Sequence, residues 1–286
     1  MKEIRAPFYI ESTSFHSFSE LADACREQTK IGMSFGRPGI GKSEASLRYS
    51  KWSLVETNLA LRTGVPIEPE KLLSCDTLYY KPGITVSPQR LKSELSLLKN
   101  RFCDAKLRAT SWRKETDWAT ALQTQQINLI IIDEAHRLKY QSLEELRDLH
   151  ERWAVGVVLI GDPGMERNLP RMFHFADRVR YVEKFEALSP IDVTNYVDKQ
   201  VELMAVPKPP DEVYPLIATY SRGNPRILGH LFALIQRLLK INSDIVHEIT
   251  KEVVETAREM MLVGLAGKPK PVERSTESLS GLASAV

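Results

Sequence analysis

The string Gly36-Arg37-Pro38-Gly39-Ile40-Gly41-Lys42-Ser43 constrains this chain more than any other. It fits GxxxxGK[ST] at every fixed position. It lies between an apolar run, Ile31-Gly32-Met33-Ser34-Phe35, and a segment patterned as a helix over 42–61. Glycines at these points let successive backbone N–H groups curl around phosphate oxygens with no Cβ in the way, and the following helix adds the partial positive charge of its N-terminus. The strand–turn–helix context therefore predicts an ATP cradle running from Gly36 to Ser43, with Glu44 just behind it. Lys42 is expected to reach the β- and γ-phosphates, and Ser43 to ligate Mg²⁺.

The remaining patterns agree with a parallel sheet. Leu129-Ile130-Ile131-Ile132 is unbroken and apolar, as in a strand buried on both faces. Residues 155–161 repeat that pattern, 77–81 give a further strand, and 179–182 a short last one. Helices are expected from a cap at Ser17 or Ser19, over 87–101, 116–126 and 142–153, with a basic polar stretch over 104–115. Strands alternating with helices imply an α/β fold. After Ser189-Pro190 the strand signals stop, and helices are expected over 190–204, 211–221, 224–240 and 243–262. This reading gives an α/β domain over 1–187, a small helical domain over 188–264, and a disordered tail over 265–286, rich in small and polar residues.

In such a sheet, ligands sit at the C-terminal ends of the strands. Asp133 ends one strand and would hold Mg²⁺ through water; Glu134 beside it would polarise an attacking water as general base. His136 completes a DEAH-like string, or merely caps a helix. Asp162 ends the next strand. Either it faces the γ-phosphate, where an anion opposes the phosphate charge, or it belongs to an Asp-Pro-Gly turn. Arg226, in Gly223-Asn224-Pro225-Arg226, either folds back onto the nucleotide from the helical part or is solvated. Among Arg167, Arg171, Arg178 and Arg180, an arginine offered to a neighbouring subunit's ATP is expected, Arg178 first and Arg171 second. Lys106, Arg108, Thr110, Arg113 and Lys114 form a basic stretch suited to phosphate-backbone contacts, or to a solvated surface.

The formal net charge of +2 gives no global field for nucleic acid, so any DNA contact must be local. Three scattered cysteines and six histidines show no disulfide framework or zinc spacing. No signal-peptide pattern and no apolar run of bilayer length is present, so a cytoplasmic protein with no membrane contact is expected.

GRPGIGKS, NLIIIDEAHRL, VVLIGD and RGNPR, in this order and spacing, resemble AAA+ ATPases. The IIIDEAHRL string with its following LRDL helix, and VGVVLIGDPGMER, are closer to the transposition regulators MuB, TniB and TnsC, over roughly residues 6–262. The resemblance implies a P-loop AAA+ domain followed by a helical lid. It also implies an ATP-joined homo-oligomer, ring or helical filament, on double-stranded DNA, which recruits or activates a transposase and works with a target-selection protein. It places phosphate binding at Gly36 through Ser43, the Mg²⁺ and water-polarising acids at Asp133 and Glu134, and a sensor at Arg226. Asp162 departs from the family pattern. Two other readings remain: an AAA+ ATPase of replication initiation, loading or secretion, and a nucleotide-gated scaffold with little turnover. Lys42→Ala is expected to abolish tight ATP binding, measured by titration with a fluorescent nucleotide. Wild-type affinity in that variant would remove the site assignment.

Overall fold

Strands β1 (Ile31–Phe35), β2 (Thr77–Tyr80), β3 (Leu129–Ile132), β4 (Gly156–Gly161) and β5 (Val179–Lys184) carry the apolar runs. In the computed structural model, which describes residues 9–61, 63–112, 126–168, 177–241 and 247–261, they form one sheet in the order β2-β3-β4-β1-β5, with every pairing parallel. Strands β2, β3 and β4 are buried at every position, which is why their sequences do not alternate. The edge strand β5 does alternate, half-buried then exposed. The fold is the α/β parallel-sheet class that the sequence predicts.

Helix α1 (Thr13–Gln28) buries Phe18, Leu21, Ala22 and Cys25. Its cap is Ser12, whose side chain accepts from Phe15 N, and not Ser17 or Ser19, which lie inside the helix. The expected helix over 42–61 is two helices, α2 (Lys42–Tyr49) and α3 (Trp52–Ala60). They are split at Lys51, which takes a left-handed φ of 50° without any glycine or proline to mark it. After α4 (Pro69–Leu73), helix α5 runs Pro88–Trp112, well past 101 and into the basic polar stretch. Helices α6 (Tyr140–Trp153) and α7 (Met165–Asn168) flank β4. The expected helix over 116–126 and the tail from 265 lie outside the described residues.

Beyond β5 come α8 (Pro190–Met204), α9 (Val213–Ser221), α10 (Pro225–Ile241) and α11 (Lys251–Met260). Helix α8 starts on a capping box, with Ser189 accepting from Asp192 N and Asp192 accepting from Ser189 N. The sheet and its helices share one apolar core, from Phe18 to Phe185; α8 to α11 share a second, from Val193 to Ala257. Where the two meet, Leu188 N donates to Gly223 O at 2.8 Å. Gly223 has a φ of +66°, and a Cβ there would lie 2.2 Å from Leu188 O. No described helix is long and apolar enough to cross a membrane.

One carboxyl strains this arrangement. On β5, Glu183 stands opposite Ser34 of β1. Glu183 Oε2 and Ser34 Oγ are both buried with no hydrogen-bond partner among the described residues. Burial, then the charge of Glu20, push the Glu183 carboxyl up from 4.5 to about 7. The folded chain thus holds this proton more tightly than the unfolded one. Stability falls as pH rises from about 4.5 to about 7, and the cost is complete above that. Glu183→Gln is expected to raise the melting temperature at pH 8 by ~2–4 °C and to change it little at pH 4. An equal shift at both pH values would show that the charge is not the cause.

Candidate nucleotide-binding site

The turn from β1 into α2 is built where side chains do not fit. Gly36 N donates to Gly161 O at 3.2 Å, anchoring the turn to β4. A Cβ on Gly36 would fall 2.5 Å from Phe185 O and 2.6 Å from Ile40 Cδ1. Gly39 and Gly41 take φ values of +81° and +104°, a curl that suits a phosphate cradle. Lys42 opens α2. Its Nζ donates to Gly36 O and, at 3.0 Å, to Arg37 O, and it stands 3.5 Å from Asp162 Oδ1. Burial holds this ammonium below the usual lysine range, and Asp162 works against that shift. Asp162 also accepts from Met165 N through its backbone, so the residue both makes the turn and faces Lys42.

Asp133 joins three elements. It is 2% exposed. Its Oδ2 accepts from Ser43 Oγ at 2.8 Å and Tyr79 Oη at 2.7 Å, and its Oδ1 from Glu134 N at 2.9 Å. Ser43 and Asp133 therefore present adjacent oxygens ahead of the phosphate turn, a donor set that fits Mg²⁺. Glu134 has a φ of +53° and heads a 3₁₀ turn over Ala135–Arg137. For a residue with a Cβ that conformation costs about 1 kcal/mol. The Glu134 carboxylate lies 3.4 Å from Lys81 Nζ, 3.5 Å from His136 Nε2 and 3.8 Å from Arg137.

A cavity of about 650 Å³ continues from this turn and the two acids. Tyr9, Ile10, Phe185, Leu188 and Tyr196 give it an apolar end, suited to a purine base. Glu44 and Arg226 line it as well. Helix α10 begins directly on the phosphate turn. Asn224 Nδ2 donates to Pro38 O at 3.2 Å, while its Oδ1 accepts from Arg226 N at 3.0 Å and caps the helix. Sequence reading singled out Arg226 and missed Asn224, although N-P at a helix start was the available signal. Tyr79 and Lys81 were missed too; nothing local in the sequence says that β2 lies beside β3.

The family described as the AAA domain matches residues 25–169. The chain is 29% identical over 269 residues to a potential ATP-binding protein of Staphylococcus aureus, covering 90% of this chain and 97% of that one. It is 30% identical over 139 residues to the ATP-dependent target DNA activator B of Escherichia phage Mu. That match covers 49% of this chain but only 37% of the phage protein. Among solved structures, the ORC2 protein of Aeropyrum pernix in its ADP form superposes with a TM-score of 0.57 at 13% identity, over 91% of this chain and 71% of that one.

The basic stretch needs correction. Lys106 is 2% exposed, and its Nζ donates to Cys75 O at 2.5 Å and lies over the Phe102 ring. Thr110 is buried and donates to Lys106 O. Arg108 donates to Asn58 O and Leu61 O. Helix α5 turns these side chains inward onto α3 and the end of α4, so Lys106 and Thr110 cannot meet a duplex. Arg113, Lys114 and Arg171 lie outside the described residues. Arg178 is 53% exposed and pairs with Glu151 at 3.1 Å. Lys106→Ala is expected to destabilise the fold by about 2 kcal/mol or more, through the lost packing and the stranded Cys75 carbonyl. Chemical denaturation checks this. An unchanged unfolding midpoint would return Lys106 to the surface.

Proposed function

The chain belongs to the AAA domain family, and from that premise we propose that it is an ATP-dependent regulator of transposition. In this reading it assembles with ATP on duplex target DNA and recruits or activates a transposase. One observation carries it: the complete phosphate turn and acid pair occur in a chain 30% identical, over 139 residues, to a protein described as an ATP-dependent target DNA activator.

The phosphates of ATP would rest on Gly36 through Ser43, with Lys42 on the terminal pair, and the base would enter the apolar end of the cavity. Ser43 and Asp133 would hold Mg²⁺, which when bound neutralises phosphate charge. Glu134 orients the attacking water and accepts its proton. Asn224 and Arg226 sit on the phosphate turn from α10, so a change at the phosphates reaches the helical part directly. Arg178, exposed and paired with Glu151, is the arginine offered to a neighbouring subunit's nucleotide. The ring or filament so joined repeats its DNA contact along the duplex, and affinity rises with assembly. Of the basic stretch, Arg113 and Lys114 remain the residues assigned to the phosphate backbone.

A second reading, a nucleotide-gated scaffold with little turnover, is favoured by Asp162. Its carboxylate stands 3.5 Å from Lys42 Nζ, where it competes with phosphate for that cation.

The test is fluorescence anisotropy of a labelled duplex with wild-type protein and Glu134→Gln, with and without ATP, at two salt concentrations. Binding is expected to require ATP, to weaken by ~10-fold or more between 50 and 200 mM salt, and to persist longer in Glu134→Gln, where only water activation is lost. Binding that ignores ATP, or no binding at all, would leave an AAA ATPase of another pathway.

A further inference from the structure

Residues 213–243 contain no Asp or Glu, in a chain that carries 37 of them in 286 residues. The same run holds Arg222, Arg226, His230, Arg237 and Lys240. The whole chain has a net charge of only +2, so this is a local segregation of charge. Helix α10 gives it a direction. Leu228, Leu231, Phe232, Ile235 and Leu239 are buried in the helical core. His230, Ala233, Gln236, Arg237 and Lys240 are exposed on the other side.

Steps of three and four residues from His230 through Ala233 and Arg237 to Lys240 keep these side chains on one line along the helix. That line is ~15 Å long. A solvated helix face ordinarily pairs its charges, as α6 does with Arg147–Glu144 at 3.3 Å and Arg152–Asp148 at 2.6 Å. Among the described residues, His230, Arg237 and Lys240 have no ion-pair partner.

Such a line fits a chain of phosphates. Each strand of duplex DNA places a phosphate every ~3.4 Å along the axis, so the line runs beside about four of them. Arg237 and Lys240 supply charge, and His230 and Gln236 supply further N–H donors. Contacts of this kind hold a duplex without reading its bases. Ala233 lies midway and lets the helix approach closely. The other end of α10 is already committed: Arg226 and Gly229 line the nucleotide cavity, and Asn224 grips the phosphate turn. One helix thus begins on the phosphate turn and carries an unpaired basic line away from it.

We propose that the exposed face of α10, at His230, Arg237 and Lys240, is a contact surface for the phosphate backbone of duplex DNA. ATP sets the direction of α10 through its first turn, and so sets where this face points. This rests on the reading of the chain as a DNA-binding ATPase, and gives that reading a surface.

The test is fluorescence anisotropy of a labelled duplex with the full chain and ATP, wild type against a His230→Gln/Arg237→Gln/Lys240→Gln variant, across a salt series. Affinity is expected to drop ~10-fold or more in the triple variant, and the slope of log affinity against log salt to shrink by about 2 per bound subunit. Two duplexes of unrelated sequence are expected to lose equally. Affinity for a fluorescent ATP analogue, and ATP-dependent assembly before DNA is added, are expected to match the wild type. Arg237→Glu/Lys240→Glu is expected to bind more weakly still. Wild-type DNA affinity and salt slope in the triple variant overturn the proposal and leave the DNA reading standing on Arg113 and Lys114. A triple variant that no longer assembles without DNA overturns it too, because the face is then an interface between copies of this chain. A wild-type chain that binds ATP but no duplex overturns the DNA reading itself, and this surface with it.

Discussion

A buried carboxylate is costly unless its oxygens are satisfied, and Asp133 is the group on which the site depends. The β3 run of isoleucines drives the chain inside the sheet, between β2 and β4, and delivers Asp133 to the strand's end almost without solvent. There the carboxylate collects Ser43 from α2, Tyr79 from β2, its own neighbour's N–H, and the Lys81 ammonium. These partners come from separate elements, so the acid works as a joint between them. Oδ2 is shared by Ser43 and Tyr79 while Oδ1 takes the Glu134 N–H, so losing a donor weakens the compensation of a charge held in a dry place. The cost of burial and the alignment of the Ser43 and Asp133 oxygens are therefore one physical fact.

How much of this could be read in the sequence follows from where each signal is stored. The phosphate turn is local: glycines at fixed spacing, then Lys42 and Ser43, need no neighbour to be recognised, and Gly39 and Gly41 take the positive φ that only glycine adopts freely. The β3 and β4 runs are equally legible, because burial on both faces leaves no room for polar alternation. Helix α8 is read to its ends, since Ser189 and Pro190 write its start into the chain. The break at Lys51 is not legible, because a lysine gives no sign of a positive φ.

The basic stretch fails for a different reason. Charge along a sequence says nothing about direction. At helical spacing, Lys106 and Thr110 share the inward face of α5, and a lysine there can be buried if a carbonyl and a ring receive its head. The same limit hid Lys81 and Tyr79, whose meaning depends on β2 lying next to β3, a pairing between segments about fifty residues apart. Asn224 was visible as a residue but not as a contact, because its partner Pro38 lies in the turn after β1, 186 residues away in the chain.

The bond between Leu188 and Gly223 closes residues 188–223 into a loop pinned at its base, a few residues from where Asn224 grips the phosphate turn. The short side of this lever lies at the turn and the long side along α10, which at 17 residues extends ~25 Å. A tilt of roughly 5° about that pin carries the far end of α10 by ~2 Å. A sub-ångström adjustment at the turn would, through such a lever, become an ångström-scale displacement at the far end of α10. Gly223 is the fulcrum, and it accepts no side chain because a pivot that close to Leu188 has no room for one.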